Sequence, residues 1–92
     1  MIESFKHKGL KRLFEEDDRS KLAADMVEQI RLVLSALEEA GSIDDLNQPS
    51  FRRRQLKGGL QGYWAVTVRA NWRIAFRFEG GKASNVDLVD YH

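Results

Sequence analysis

The strongest constraint on the fold is a two-residue alternation of apolar and polar side chains in the second half of the chain. In the segments "GYWAVTVR" and "NWRIAFRF" the even-numbered positions are apolar, and the odd positions of the second segment include Arg73 and Arg77. Because successive side chains of a strand point to opposite faces, this pattern predicts two strands, each with one buried face and one polar face. The segment "EGGK" predicts a turn, and residues 84–91 predict a last strand.

The connection between the first two predicted strands follows from the same alternation. Residues that lie opposite each other in an antiparallel pair share a face, so apolar positions must pair with apolar ones. A two-residue loop would pair Val68 with Arg73, whereas a three-residue loop over residues 69–71 pairs Val68 with Trp72. We therefore predict the longer loop, with Asn71 in the left-handed conformation that such loops favour.

This register places two arginines at one end of the sheet, next to the hairpin loop. If the last strand pairs directly with its neighbour, its end travels back to the same loop, because consecutive antiparallel strands reverse direction. The C-terminal residues are then expected to converge on the hairpin arginines. The predicted cluster consists of Arg69, Arg73, Asp90, Tyr91 and His92.

The first half of the chain is predicted to be mainly helical. Apolar residues recur at three- and four-residue spacing over residues 8–16 and, more extensively, over residues 21–40. Ser20 is the predicted N-cap of the longer helix and Gly41 its stop, while residues 2–6 are compatible with a short strand. Together these elements predict a single α+β domain over residues 1–92, in which two N-terminal helices cover one face of a small antiparallel sheet.

The net charge of +1 conceals an asymmetry between the two halves of the chain. Residues 1–50 carry seven basic and eleven acidic residues, a balance of −4, and residues 51–92 carry eight and three, a balance of +5. A basic half favours a polyanionic partner, although an unevenly charged solvated surface explains the counts equally well. The absence of cysteine excludes disulfides, thiol catalysis and cysteine-based zinc sites. No apolar run suits a signal peptide or a membrane span, so we expect a cytoplasmic protein that does not enter a membrane.

The predicted cluster has the chemistry of a phosphate site. Guanidinium groups such as those of Arg69 and Arg73 bind phosphate through two parallel hydrogen bonds and keep their charge. His92 could donate a proton to a leaving oxygen, and Asp90 could orient His92 or Arg73. Taken singly, a strand arginine is usually solvated, a terminal histidine frayed and an aspartate part of a salt bridge. Only the combination points to the scissile phosphate of RNA.

Further candidates lie outside this cluster or at its edge. Tyr91 could stack on a base or pack at the strand end, and Lys57, in "LKGGLQG", could neutralise phosphate charge. A basic run could contact the RNA backbone or simply form a soluble loop; it consists of Arg52, Arg53 and Arg54. The two histidines are far apart in sequence, so no metal site is predicted, and no cofactor motif is present.

The motifs "LKG", "GYW", "VRANWRI.F.F" and "DYH", at these spacings, resemble the HigB-type toxins of the RelE/ParE superfamily. The resemblance covers most of the chain and implies a microbial-ribonuclease-like α+β fold. It also implies cleavage of mRNA in the A site of the 70S ribosome, which stops translation and growth. The implied partner is a HigA-like helix-turn-helix antitoxin of a type II system, through which alone the toxin would reach operator DNA.

Matching family motifs implies functional roles for six residues of this chain, namely Lys57, Arg69, Arg73, Asp90, Tyr91 and His92. The family pattern has a His-Pro pair before the leucine of "LKG", whereas this chain has Arg54 and Gln55 there. We therefore expect Arg54 to contact phosphate without transferring a proton.

Two functions remain open from the sequence. The first is a metal-independent endoribonuclease, in which the ribose 2′-hydroxyl attacks the mRNA phosphate and the protein supplies alignment, positive charge and one proton. The second is a non-catalytic module that binds RNA or the ribosome, or an inactive toxin homologue that acts through its antitoxin. New transcript ends after induction would indicate the enzyme, and intact transcripts with stalled translation would indicate the binding module.

Overall fold

The computed structural model describes residues 1–56 and 62–90, and within them two α-helices cover one face of a four-stranded antiparallel sheet. The helices are α1 (Lys8–Glu16) and α2 (Val27–Glu39). The strands lie in the order β1-β2-β3-β4 and comprise β1 (Arg54–Gln55), β2 (Tyr63–Arg69), β3 (Trp72–Glu79) and β4 (Lys82–Asp90). The predicted α+β architecture is confirmed. Lys57, Tyr91 and His92 lie outside the described residues.

Helix α1 has the predicted bounds, and a flanking residue caps it at each end. His7 precedes the helix, and its Nδ1 accepts a hydrogen bond from the backbone N–H of Leu10 at 3.2 Å. The helix ends at Asp17, which takes the left-handed conformation, with φ of 57°. Leu10 and Leu13 are buried against the core. His7 therefore has a structural role as a helix cap.

Helix α2 is shorter than the predicted helix over residues 21–40. The N–H of Ser20 donates to Oδ1 of Asp18 at 2.9 Å, so Ser20 belongs to an Asx-type turn and the prediction of a Ser20 N-cap was wrong. A single 3-10 turn at Ala24–Met26 then leads into the helix. Its buried stripe is the predicted apolar one and consists of Val27, Ile30, Val33, Leu34 and Leu37.

The N-terminal segment lies beside β4 and forms no regular strand. Ile2 and Phe5 make isolated parallel bridges to Ala83 and Val86, where residues 2–6 had been predicted as a short strand. No helix within residues 1–56 and 62–90 is long and apolar enough to cross a membrane.

One sheet face packs against the helices, as the alternation predicts, but the opposite face is not uniformly polar, because Ala65 and Ala75 are buried there in a second cluster with Leu56. Val66, Ile74 and Phe76 are completely buried between the sheet and the helices. We call the opposite side the open face; its central residues are Ala65, Thr67, Arg73, Ala75 and Val89.

The β2–β3 hairpin has a two-residue turn, so the predicted three-residue loop was wrong. Arg69 lies opposite Trp72, but the register shifts between Thr67 and Arg69, and Thr67 lies opposite Arg73. This β-bulge absorbs one residue, which lets a short turn coexist with matched apolar faces further along the strands. The left-handed residue of the turn is Ala70, with φ of 51°, and not Asn71 as predicted.

Candidate functional site

Arg73 is the central cation of the open face. It lies on β3 between Thr67 on β2 and Val89 on β4. Its Nη1 donates to Oγ1 of Thr67 at 3.2 Å and to the carbonyl oxygen of Ala70 at 3.4 Å. The side chain is half-buried. These contacts hold a permanent positive charge at the hairpin end of the open face, which is the geometry an anion site requires.

The structure places Arg69 on the other side of the sheet, in contrast to the predicted cluster. Arg69 lies opposite Trp72, which packs against the main core, so the two residues share the helical face. Its Nη1 bonds to Oδ2 of Asp25 at 2.6 Å, in the 3-10 turn before α2. The predicted convergence of Arg69 with Arg73 was therefore wrong. Its cause is the bulge, which adds one residue between their positions and so reverses the face of Arg69.

Strand β4 does return to the hairpin, as predicted. Asp90, its last residue, lies opposite Trp72, and Val89 lies opposite Arg73. Asp90 is exposed; its pairing with Trp72 places its side chain toward the helical face, and it borders a cavity whose other strand residues belong to the open face. The predicted positions of Tyr91, His92 and Lys57 fall outside the described residues. Asp90 follows Val89, the cross-strand partner of Arg73, so the end of β4 lies at the hairpin.

The basic run at residues 52–54 is divided by the fold. Arg53 is anchored on the helical side, where Nη1 donates to the carbonyl oxygen of Ile43 at 2.7 Å and lies 3.6 Å from a carboxylate oxygen of Asp44. Its guanidinium also covers the ring of Trp64, at 4.9 Å from the ring centroid. These contacts fasten the start of β1, so Arg53 has a structural role in the described structure.

The other two arginines of the run differ in position. Arg54 lies on β1 opposite Ala65, so it shares the open face with Arg73. Arg52 is exposed and takes the left-handed conformation at the end of a 3-10 turn, with φ of 47°. Of the three predicted RNA contacts, Arg54 is thus the one that the sheet places with Arg73.

A cavity of about 270 Å³ opens beside this site, and sequence reasoning did not find it. Its lining consists of Lys6, Tyr63, Ala75, Asn85, Asp87, Val89 and Asp90. The alternation along the last strand did carry a signal for Asp87, which stands between the apolar residues Val86 and Leu88. Lys6 had no such signal, because it reaches the sheet only through the parallel bridges of the N-terminal segment.

Among residues 1–56 and 62–90, no three histidine or acidic side chains gather closely enough to bind a metal ion. The described side chains on and beside the open face include the cation Arg73, the carboxylate of Asp87, the polar Thr67 and Asn85, and the ring of Tyr63. Such a set can bind a phosphate and an attached organic group.

The contact between Thr67 and Arg73 gives a direct test of positioning. Thr67→Val keeps the branched shape of the side chain and removes the hydroxyl that accepts from Arg73. We expect anion binding at Arg73, measured by titration with inorganic phosphate, to weaken about fivefold, the value of one hydrogen bond. Thr67→Ser retains the hydroxyl and is expected to restore binding. Equal weakening in both variants would assign the loss to packing and contradict the positioning role.

A protein-family model described as the RelE-like toxin of the type II toxin–antitoxin system HigB matches residues 3–92. The chain is 48% identical over 92 residues to "Endoribonuclease HigB" of Proteus vulgaris, covering 100% of both chains. It is 31% identical over 90 residues to "Toxin HigB-1" of Vibrio cholerae serotype O1, covering 96% of this chain and 95% of the relative.

Solved structures with low sequence identity share the fold. The YoeB–YefM toxin–antitoxin complex of Staphylococcus aureus contains a chain with a TM-score of 0.63 and 17% identity, covering 100% of this chain and 95% of that one. YafQ of E. coli superimposes with a TM-score of 0.65 and 12% identity, covering 98% and 91%. At these identities the similarity establishes the architecture, whereas activity depends on the residues of the site.

Proposed function

The chain belongs to the HigB family of RelE-like toxins of type II toxin–antitoxin systems, and we propose that it is an endoribonuclease that cleaves mRNA on the ribosome. One observation carries the proposal. Arg73 is held on the open face by Thr67, and its cross-strand partner on β4 is Val89. The held guanidinium can stabilise negative charge on a phosphate, and His92, which follows Asp90 by two residues in the sequence, is our proposed proton donor.

In the proposed reaction the ribose 2′-oxygen attacks the adjacent phosphorus. The new 2′-O–P bond forms, the P–O5′ bond breaks, and the products are a 2′,3′-cyclic phosphate and a 5′-hydroxyl end. Arg73 donates hydrogen bonds to the non-bridging oxygens, whose negative charge grows in the transition state. His92 gives its proton to the departing 5′-oxygen, and the 2′-hydroxyl proton passes to a base, for which Lys57 is our candidate.

The remaining groups are assigned to positioning and charge. Arg54 adds positive charge on the same face as Arg73, without proton transfer. Asp90 orients the neighbouring groups, and Tyr91 stacks on or contacts the mRNA. Arg69 bonds Asp25 on the helical side, so we assign it no place in the reaction.

We propose that the ribosome aligns the 2′-oxygen of the mRNA with the leaving 5′-oxygen. The described site contains cations that can bind a phosphate, but free RNA seldom holds its 2′-oxygen in line with the leaving oxygen. Alignment of this kind contributes much of the rate in intramolecular attack. We infer that mRNA held in the A site is the substrate, and that naked RNA is cleaved far more slowly.

Family membership implies an antitoxin partner, which we propose to be HigA-like and to connect the toxin to operator DNA. The solved complex of the structural neighbour YoeB with YefM supports a stable toxin–antitoxin assembly of proteins with this fold. Binding of such a partner would also stabilise this chain of 92 residues, because small cores are marginal.

Mapping of transcript ends after induced expression tests the proposed function. We expect new 5′-hydroxyl ends at in-frame codon positions, and cleavage of a synthetic mRNA in a translating extract but not in buffer. Intact transcripts accompanied by stalled translation would instead establish the non-catalytic binding module. Cleavage of naked RNA at the same rate would contradict the ribosome dependence alone.

A further inference from the structure

The cavity on the open face begins one cross-strand pair away from Arg73. Val89 lies opposite Arg73, and Asp87 lies opposite Ala75. Val89, Asp87 and Ala75 line the cavity, whereas Arg73 lies next to it. Two residues on the same face of a strand are about 7 Å apart. A nucleotide whose phosphate contacts Arg73 therefore has its ribose and base within reach of the cavity.

The apolar part of the lining suits a flat aromatic group. It consists of the small side chains of Ala75 and Val89 and the ring of Tyr63. The guanidinium of Arg77 lies 5.7 Å from the centroid of the Tyr63 ring. This contact holds the ring in place, and an aromatic ring offers a stacking surface to any nucleobase.

The polar part of the lining distinguishes a base from a phosphate. The carboxylate of Asp87, which shares the open face with Ala75, repels a second phosphate and accepts hydrogen bonds from N–H groups. The ammonium group of Lys6 can donate to a ring nitrogen or a keto oxygen. A cavity whose charged acceptor is a carboxylate therefore favours a ligand that offers it an N–H group.

A β-bulge in β4 builds the acceptor side of the cavity. Asp87 lies opposite Ala75, but Arg77 lies opposite Ser84, so the register shifts around Asn85. Asn85 has a φ of 52° and its Nδ2 donates to the hydroxyl of Tyr63 at 3.1 Å. The oxygen of the same amide is then its acceptor atom. Bulges redirect side chains next to binding sites, and this one brings Asn85 to the cavity.

We propose that this cavity is a subsite for a nucleobase that carries an exocyclic amino group, namely adenine, cytosine or guanine, and that it discriminates against uracil. The proposal rests on the proposed function, because the base belongs to the RNA whose phosphate contacts Arg73. The amino group donates to Asp87 and to the Asn85 oxygen, while Lys6 donates to an acceptor of the ring.

Uracil is disfavoured because of the order of groups along its edge. It has no amino group, and its one base-edge N–H lies between two keto oxygens. In the cavity at least one keto oxygen would face the carboxylate of Asp87, with lone pairs on both sides. A site built to accept an N–H group discriminates strongly against an analogue without it, because its own polar groups are left unpaired.

Nucleoside 5′-monophosphates provide direct probes of the subsite. AMP, CMP, GMP and UMP are titrated into the full-length 15N-labelled protein, and amide shifts of Ala75, Asp87 and Val89 report occupancy. We expect UMP to bind at least about tenfold more weakly than each of the other three. Equal affinity for UMP, or shifts confined to residues away from the cavity, would overturn the proposal.

Asp87→Asn is the informative variant. Oδ1 of Asp87 accepts from the N–H of Leu88 at 2.9 Å, and an asparagine oxygen can accept the same bond, so the local backbone is retained. An amide both donates and accepts, so uracil becomes acceptable, and we expect the discrimination to fall below about threefold. Discrimination that persists unchanged in Asp87→Asn would also overturn the proposal.

Two further variants separate charge effects from base recognition. Glu79→Gln removes a carboxylate from the far end of β3, opposite Lys82, and is expected to leave the preference unchanged. Arg73→Ala is expected to weaken all four nucleotides to a similar extent, because it removes a phosphate contact. Loss of the preference in Glu79→Gln would show that net charge governs it, which would contradict the subsite.

Cleavage in a translating extract distinguishes failure of this inference from failure of the proposed function. If the wild-type protein cleaves mRNA but binds UMP as well as AMP, the subsite is wrong and the nuclease stands. If the nucleotide preference holds but no template is cleaved, the proposed function is wrong and the binding subsite stands.

Discussion

Arg73→Ala is expected to reduce mRNA cleavage in a translating extract by about a hundredfold to a thousandfold, the usual effect of removing one donor to a developing oxyanion. The guanidinium is held by Thr67 and by the carbonyl of Ala70, so it is already placed where the phosphate is expected. Single-turnover rates measured by primer extension check the prediction, and the melting temperature confirms that the variant is folded.

Three further variants show whether the loss of cleavage in Arg73→Ala comes from the position of the guanidinium or from the loss of a positive charge. Arg73→Lys keeps the charge but loses the two-pronged guanidinium, so we expect partial activity. Arg31→Ala removes an arginine that pairs with Asp17 on the helical side, and we expect near wild-type activity. Arg69→Ala is expected to cost less than about fivefold, since Arg69 bonds Asp25. A folded Arg73→Ala variant with normal cleavage would exclude the assignment, and a large loss in Arg69→Ala would restore the predicted pair of arginines.

His92→Ala is expected to lower the single-turnover rate by about a hundredfold to ten-thousandfold, the range over which a general acid contributes. The reason is that an alkoxide leaves poorly unless it receives a proton as the P–O5′ bond breaks. A general acid must carry its proton, so the wild-type rate should fall at alkaline pH. The variant should lose this part of the pH–rate profile. Rate measurements across pH in the same extract check both expectations.

A modified substrate tests the role of His92 directly. When sulfur replaces the bridging 5′-oxygen, the leaving thiolate is far more stable than an alkoxide and needs no proton. We expect this substrate to restore the rate of His92→Ala to within about tenfold of wild type, and to leave the defect of Arg73→Ala in place. Failure of the sulfur substrate to rescue His92→Ala, with the variant folded, would show that His92 does not act as the acid.

Other parts of the structure limit how these variants are interpreted. Arg53 fastens the start of β1 through Ile43, Asp44 and Trp64, so its substitution would disturb the placement of Arg54. Loss of activity in Arg53→Ala would therefore not indicate an RNA contact. Arg54→Ala removes a side chain of the open face and leaves that anchor intact, which makes it the cleaner probe of the basic run.

The sequence by itself determined the class of fold and the elements that build it. The two-residue alternation over residues 63–78 predicts strands that turn one apolar face to the core, and the three- and four-residue spacing in α1 and α2 predicts amphipathic helices. These patterns are local, because each is set by the geometry of a single element. They were sufficient to predict that β4 returns beside β3 and brings Asp90 to the hairpin.

Only the tertiary structure decided which side chains share the open face. A bulge of one residue near Val68 moved Arg69 to the helical face, and a second around Asn85 shaped a cavity that no motif had indicated. A bulge is a compromise between turn geometry and the packing of both faces, so its position depends on the whole sheet and not on either strand. The position of Lys6 in the cavity lining also depends on tertiary contacts. It is set by the parallel bridges of Ile2 and Phe5 to β4, which join residues far apart in the sequence.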